Sequence, residues 1–267
     1  MHRSLPVMAA VLAAAVIPLI GCGIPMGPLR AEAHDTWTHT YSLSKTGEVS
    51  ITNINGRIDV EGVDGSTVEV SAERIARGAT DALAKELLPR ISINDRSTPD
   101  LVAVETGRIS GILIGASFEV RYHVKVPRMA TVRATTVNGG VGMKSLAGRA
   151  SARTTNGGVT GEALSGGVEA RTVNGGITIA LDGVGNNDIT LATVNGGIIL
   201  DLPATAKATV NATWVNGGFH DGGLKFDVRD SGKRHFEGLL NGGGTPINMT
   251  TVNGGVHLDA VGHATSE

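Results

Sequence analysis

The chain has 267 residues and a mass of 27.3 kDa, enough for one or two domains, and its 18% charged and 41% hydrophobic residues are a globular balance. Two Trp, two Tyr and four Phe are too few to line a base-stacking groove, and a formal charge of -2 leaves no basic footprint, so nucleic acid is excluded as a partner. Of the 38 glycines, 27 fall after residue 130 without collagen's every-third spacing, so that half must be built from tight turns.

At the N-terminus, Met1-His2-Arg3 is a short positive segment, and Ser4 to Ile20 is a nearly unbroken apolar run interrupted by Pro6 and Pro18. Residues 1–21 read as an export signal. A membrane-spanning helix is the weaker reading, because the run sits near the lower edge of the roughly 17–25 residues a bilayer requires and Pro18 would disturb its end. Leu19-Ile20-Gly21-Cys22 resembles the lipobox of bacterial lipoproteins, and that resemblance implies lipidation at Cys22 and attachment to a membrane through the lipid. As the single cysteine of an exported chain, Cys22 has no internal disulfide partner. The competing reading is cleavage after Ala31-Glu32-Ala33, which would release a soluble protein beginning at His34. On the lipoprotein reading, residues 22–45, with Pro25 and Pro28, are a tether to a domain at 46–262, and 263–267 are a tail.

The domain opens with alternating apolar positions, Val49, Ile51, Ile58 and Val60, about Asn55-Gly56. Residues 73–130 read as an insertion. Thr80 to Leu88 has helical spacing, with Leu83, Leu87 and Leu88 on one side and Pro89 ending it. Leu101 to Glu105 and Phe118 to Val126 alternate as strands and are expected to cap one end of the C-terminal half.

The C-terminal half is repetitive. Asn-Gly-Gly recurs at Asn138, Asn156, Asn174, Asn195, Asn216 and Asn253, the first five spaced by 18, 18, 21 and 21 residues, with Asn55 as the early copy and Asn241-Gly242-Gly243-Gly244 as an irregular extra. Two residues before each Asn stand Thr136, Thr154, Thr172, Thr193, Trp214 and Thr251, and four and six before it small or branched apolar residues such as Ala152 and Val168. Three after it come Val141, Val159, Ile177, Ile198, Phe219 and Val256. Each unit is therefore a strand, an Asn-Gly-Gly turn, a second strand and a looser return. Two architectures fit: a solenoid of 18–21-residue rungs, or an antiparallel meander with Asn-Gly hairpins. The solenoid is expected, because recurrence at so many aligned positions gains most when like residues lie directly above one another, with asparagines hydrogen-bonded along a column. Roughly eight rungs at the strand spacing would make a rod of about 40 Å.

The Thr-Val-Asn-Gly-Gly repeats, the lead-in Val49-Ser50-Ile51-Thr52-Asn53-Ile54-Asn55-Gly56-Arg57-Ile58 and the strand from Phe118 to Pro127 resemble the bacterial DUF4097 β-strand-repeat proteins, a family labelled as candidate adhesins. The resemblance covers about residues 45 to 260. It implies an all-β right-handed parallel β-helix, export to the cell envelope, no established reaction and no catalytic residues to carry across.

The residues themselves offer little chemistry and no cofactor site. A polysaccharide-active enzyme would need clustered acids, whereas Glu162, Asp201 and Asp259 fall at one outward position of separate units and read as spread charge. Asp182 to Ile189 faintly resembles a calcium-binding nonapeptide but occurs once. His220 and His257, each four residues after its Asn, are weak metal candidates whose proximity the unequal spacing leaves open. Arg153 and Arg171, with Arg133 a rung away, make a basic stripe that either solubilises the sheet face or contacts anionic glycans. The function expected is a non-enzymatic, lipid-anchored envelope surface for adhesion or scaffolding, with an envelope glycan or another envelope protein as partner. The alternatives are a polysaccharide-active enzyme and an envelope-stress or regulatory partner of a membrane protein.

Overall fold

The computed structural model describes residues 31–109, 115–185 and 187–261. The export signal, Cys22 and the 263–267 tail lie outside them.

The Asn-Gly-Gly turns at Asn138, Asn156, Asn174, Asn195, Asn216 and Asn253 are each a corner between two sheets, which among the described residues have ten and eleven strands, whereas Asn241-Gly242-Gly243 joins two strands of the eleven-stranded sheet. The strand entering the corner belongs to the eleven-stranded sheet and the strand leaving it to the ten-stranded sheet, as in Val168–Asn174 followed by Ile177–Leu181. Neighbouring rungs pair in parallel with no slip across the corner: Val168 faces Ile189 and Ala170 faces Leu191 in one sheet, and Ile177 faces Ile198 in the other. Alternation buries Val132, Ala150, Val168 and Ile189 in one inward column and Val141, Val159, Ile177 and Ile198 in the column opposite. The core is the thin layer between them.

Rung order departs from chain order at both ends. Thr245–Asn253 inserts between Ile189–Asn195 and Ala208–Asn216, pairing in parallel with both, so the last unit in sequence is the second-last in space. At the other end, Glu48–Thr52 and Ile58–Val63 lie beneath Thr131–Thr135 and Val141–Lys144, and beyond them stack Leu101–Thr106 and Ala116–Pro127, also parallel. The segment 73–130 thus supplies an outermost rung rather than interrupting the array.

At the N-terminal end both sheets close with antiparallel strands; at the C-terminal end only the eleven-stranded sheet does, because the ten-stranded sheet stops there on Phe219–His220, paired in parallel with Val256–Ala260. Thr67–Gly78 pairs with Ala116–Pro127, and Ile93–Thr98 with Leu101–Thr106. Ala208–Asn216 is covered by His235–Leu240, which in turn carries Phe226–Ser231. The all-β expectation holds, and the sheets are mixed rather than wholly parallel: the interior rungs pair in parallel and the antiparallel strands lie toward the ends. A terminal rung leaves a row of unpaired backbone groups, and a hairpin satisfies them with the shortest connection.

The tether is corrected too. Ala31–Ser42 is a strand paired along its whole length with Thr67–Gly78. Tyr41 is buried, Trp37 packs against the core, and the Tyr41 hydroxyl donates to Asp95 at 2.9 Å, which ties this strand to the other sheet. The helix is Asp81–Leu87, opened by Thr80, whose hydroxyl accepts from the Leu83 amide. It buries Ala84 and Leu87, and Pro89 lies in the 3-10 turn directly after it.

Candidate binding surface

The corners stack into two hydrogen-bonded columns. Along the exposed one, each asparagine amide donates to the side-chain oxygen of the next: Asn138 to Asn55, Asn156 to Asn138, Asn174 to Asn156, Asn195 to Asn174, Asn253 to Asn195 and Asn216 to Asn253, at 2.8–2.9 Å. All seven predicted turn asparagines thus join one ladder. Beside it, Thr136, Thr154, Thr172, Thr193 and Thr251 donate to glycine carbonyls of the adjoining rung. Two residues depart from the threonine column. Trp214 fills the position near the C-terminal end and stacks on Phe219, which stacks on Phe236. Asn53 fills it near the other end, where it is buried and donates to the Val120 carbonyl at 2.7 Å while accepting from Thr106.

The outer face of the ten-stranded sheet carries two rows that appear only when the strands are in register. One reads Glu69, Lys125, Glu61, Lys144 and Glu162 across five neighbouring strands, alternating strictly in sign. Lys125 pairs with Glu69 at 3.8 Å and Lys144 with Glu162 at 3.6 Å. The parallel row holds Ser71, His123, Asp59, Gly142 and Thr160. Arg57 grips Asp59 at 2.7 Å and extends over Gly142 to reach Thr160 at 3.3 Å, a path that a side chain at 142 would block. The twisting edge strand rises beside these rows and encloses a groove of about 680 Å³, bordered by Thr38, His39 and Thr40. The lysine pairs in it are exposed and long, so each lysine and glutamate exchanges its partner for a ligand at small cost.

A second hollow of about 470 Å³ lies between return turns, with Asp182 to Val184, Thr205 to Lys207 and Thr245 around it. This is where the calcium-like segment sits; Asn186 falls outside the described residues.

The remaining candidates divide. Asp201 and Asp259 are register partners on adjacent strands, whereas Glu162 lies away from them in the groove. Burial, and then the charge of Asp259, raises the Asp201 pKa. The basic stripe is largely paired, with one positive charge in excess: Glu169 accepts from Arg153 at 2.6 Å and from Arg171 at 2.9 Å, and Arg133 pairs with Glu48. The hydrogen bond from Arg171, against opposing burial and with help from Arg153, lowers the Glu169 pKa. His220 and His257 are brought together as register partners, their ring centroids 5.8 Å apart. Among the described residues no group of three or more His, Cys, Asp or Glu side chains converges as a metal centre, and no helix is long and apolar enough to cross a membrane.

Sequence reading missed the groove. Its charged row draws on residues 61, 69, 125, 144 and 162, whose sign alternation follows neither chain order nor repeat period.

No family model and no curated protein matches the chain. Among solved structures it is similar to a candidate cell adhesion protein of Clostridium sporogenes, with 10% identity, coverage of 85% of this chain and 100% of that one, and a TM-score of 0.46. A candidate adhesin of Bacteroides fragilis is similar at 10% identity over 85% of this chain and 97% of its own, with a TM-score of 0.30. A candidate lipid binding protein of Parabacteroides distasonis is similar at 8% identity over 85% and 97%, with a TM-score of 0.25. At TM-scores below 0.5 these are loose likenesses, and the functional reading rests on this chain's own surface.

Proposed function

We propose that the protein is a non-enzymatic, adhesin-like surface of the bacterial cell envelope, wound as a right-handed solenoid and held to a membrane through a lipid on Cys22. The observation that carries the binding role is the groove on the outer sheet face. Its rows present carboxylates, ammonium groups, one guanidinium and hydroxyls at fixed strand spacing, with an excess of only one formal negative charge among its carboxylates, lysines and arginine (Glu61, Glu69, Glu162 and Asp59 against Lys125, Lys144 and Arg57). Such a surface suits an uncharged, hydroxyl-rich ligand, which replaces weak ion pairs with hydrogen bonds on both signs of charge. A neutral segment of an envelope or host glycan has that chemistry. A glycan array probed with the protein tests this: binding that falls about tenfold or more in Arg57→Ala, with wild-type stability, supports the groove. Equal binding by that variant would move the ligand elsewhere. Mass spectrometry of the protein from its membrane fraction, with and without Cys22→Ala, tests the anchor.

A polysaccharide-active enzyme has one observation in its favour. Asp201 and Asp259 stand side by side with the pKa of one raised, the arrangement an acid and its partner carboxylate require. Sugar release lost in Asp201→Asn would establish it.

A further inference from the structure

We propose that His220 and His257 form a surface site for a late first-row divalent metal ion, Cu2+, Ni2+ or Zn2+, which clamps the two outermost rungs at the C-terminal end.

The two histidines are 37 positions apart and become neighbours only because Thr245–Asn253 and Val256–Ala260 insert beneath Ala208–Asn216. Register then sets them side by side on parallel strands. Both are exposed and point outward, since Val256 and Leu258 on either side of His257 are buried. Their ring centroids are 5.8 Å apart with planes tilted by 52°. A metal holding two imidazoles sits about 2.0–2.1 Å from each nitrogen, so the nitrogens stand roughly 3.5 Å apart. Rotation of the two exposed rings reaches that spacing without moving backbone.

The surroundings favour a cation. Asp259 lies two residues beyond His257 on the same face, roughly 6.6 Å along the strand, and its register partner is Asp201. Two carboxylates on one side and no basic group in either row at these strands leave a negative potential over the imidazoles. Imidazole is a donor for late transition metals rather than for calcium or magnesium, which take oxygen ligands, and among divalent ions copper binds most tightly. With two protein ligands, the other coordination positions remain for water or for a donor of a bound ligand. The site bridges rungs whose order in space reverses their order in the chain, so an ion there opposes withdrawal of the inserted rung.

The test uses the full chain and the metal alone. Calorimetric titration with Ni2+, electron paramagnetic resonance with Cu2+ and thermal unfolding are compared in wild type, His220→Ala, His257→Ala and His123→Ala. Expected are a two-nitrogen copper signal and a metal-dependent rise in melting temperature in wild type and His123→Ala. In each of the other variants the affinity drops about tenfold or more and the rise disappears. His257→Phe keeps the ring's bulk and gives the same loss if the nitrogen is what matters. Acidification weakens binding, because imidazole must be neutral to ligate. Unchanged affinity in His220→Ala or His257→Ala overturns the site, as does an equal loss in His123→Ala.

Discussion

Gly157 shows how closely the rungs approach. A Cβ there would overlap the carbonyl of Gly139 in the adjoining rung, and the same overlap recurs at Gly139, Gly175, Gly196, Gly217 and Gly254 against their own neighbours. The first glycine of the turn is therefore demanded by a backbone-to-backbone contact, while the second is not demanded everywhere: nothing lies within 4 Å of a Cβ at Gly218. Gly157→Ala is expected to cost about 3 kcal/mol, and Gly218→Ala to stay within about 0.5 kcal/mol, both read from urea midpoints. Thr172→Val keeps the volume of a buried side chain but leaves the Gly157 carbonyl without its donor. The expected loss is about 1 kcal/mol. The asparagine ladder is exposed, so water replaces its bonds more readily, and Asn174→Ala is expected to cost less than Thr172→Val even though it breaks two links.

At the scale of elements, the two ends are held by different means. The N-terminal end rests on Asn53, whose side chain bonds the carbonyls of Asn55, Gly56 and Val120 and accepts from the Ile54 amide and Thr106, with Thr106 bonded in turn to the Tyr122 hydroxyl. Burial pushes the Tyr122 pKa up to about 12, so this network stays neutral at any ordinary pH. Asn53→Leu would take the side-chain donor from the Val120 carbonyl and the acceptor from the Ile54 amide and the Thr106 hydroxyl, while the Asn55 and Gly56 carbonyls keep the Val120 amide and the Thr136 hydroxyl; it is expected to lower stability by about 3 kcal/mol, measured by denaturant unfolding. The C-terminal end depends on the inserted rung. A chain ending at Gly244 keeps Ile189–Asn195 and Ala208–Asn216 but removes the strand pairing with both. Such a chain is expected to associate through the exposed edges, visible by size-exclusion chromatography with light scattering. A peptide of residues 245–261 should reverse that association.

For the whole molecule, acid is the informative perturbation. Burial alone would raise the Glu119 pKa, but hydrogen bonds from Arg121 and Arg77 bring it below the usual carboxylate value; Glu169 is lowered chiefly by its bond from Arg171. A carboxylate whose pKa falls on folding stabilises the native state above its unfolded value, and that contribution is lost as the pH drops through the folded one. Asp201 is raised and has the opposite sign: its ionised form opposes folding, and protonation relieves it. Urea midpoints are therefore expected to hold between pH 7 and about 4.5 and to fall below that, with a shallower fall in Glu169→Gln. Asp201→Asn should gain less than about 1 kcal/mol at pH 7, since solvent screens a site so open.

The strands, the corners and the columns of like residues are legible in the chain, because alternation and the Asn-Gly-Gly spacing are local patterns that repeat at nearly constant length. Val168, Thr172, Asn174 and Ile177 each announce their face by position alone. The neighbours of the end rungs are not legible. Residues 31–42 lack an Asn-Gly turn and pass for a tether, and the Asn253 unit, identical in pattern to its fellows, gives no sign that it slips between Asn195 and Asn216. Equal columns make every rung a possible neighbour of every other, so rung order depends on what closes the ends: the aromatic stack of Trp214, Phe219 and Phe236 needs the hairpin above it, which leaves the last unit only the place beneath. The groove's alternating charges and the His220–His257 pair both result from that order. Each requires strands far apart in the chain to lie about 4.8 Å apart in space.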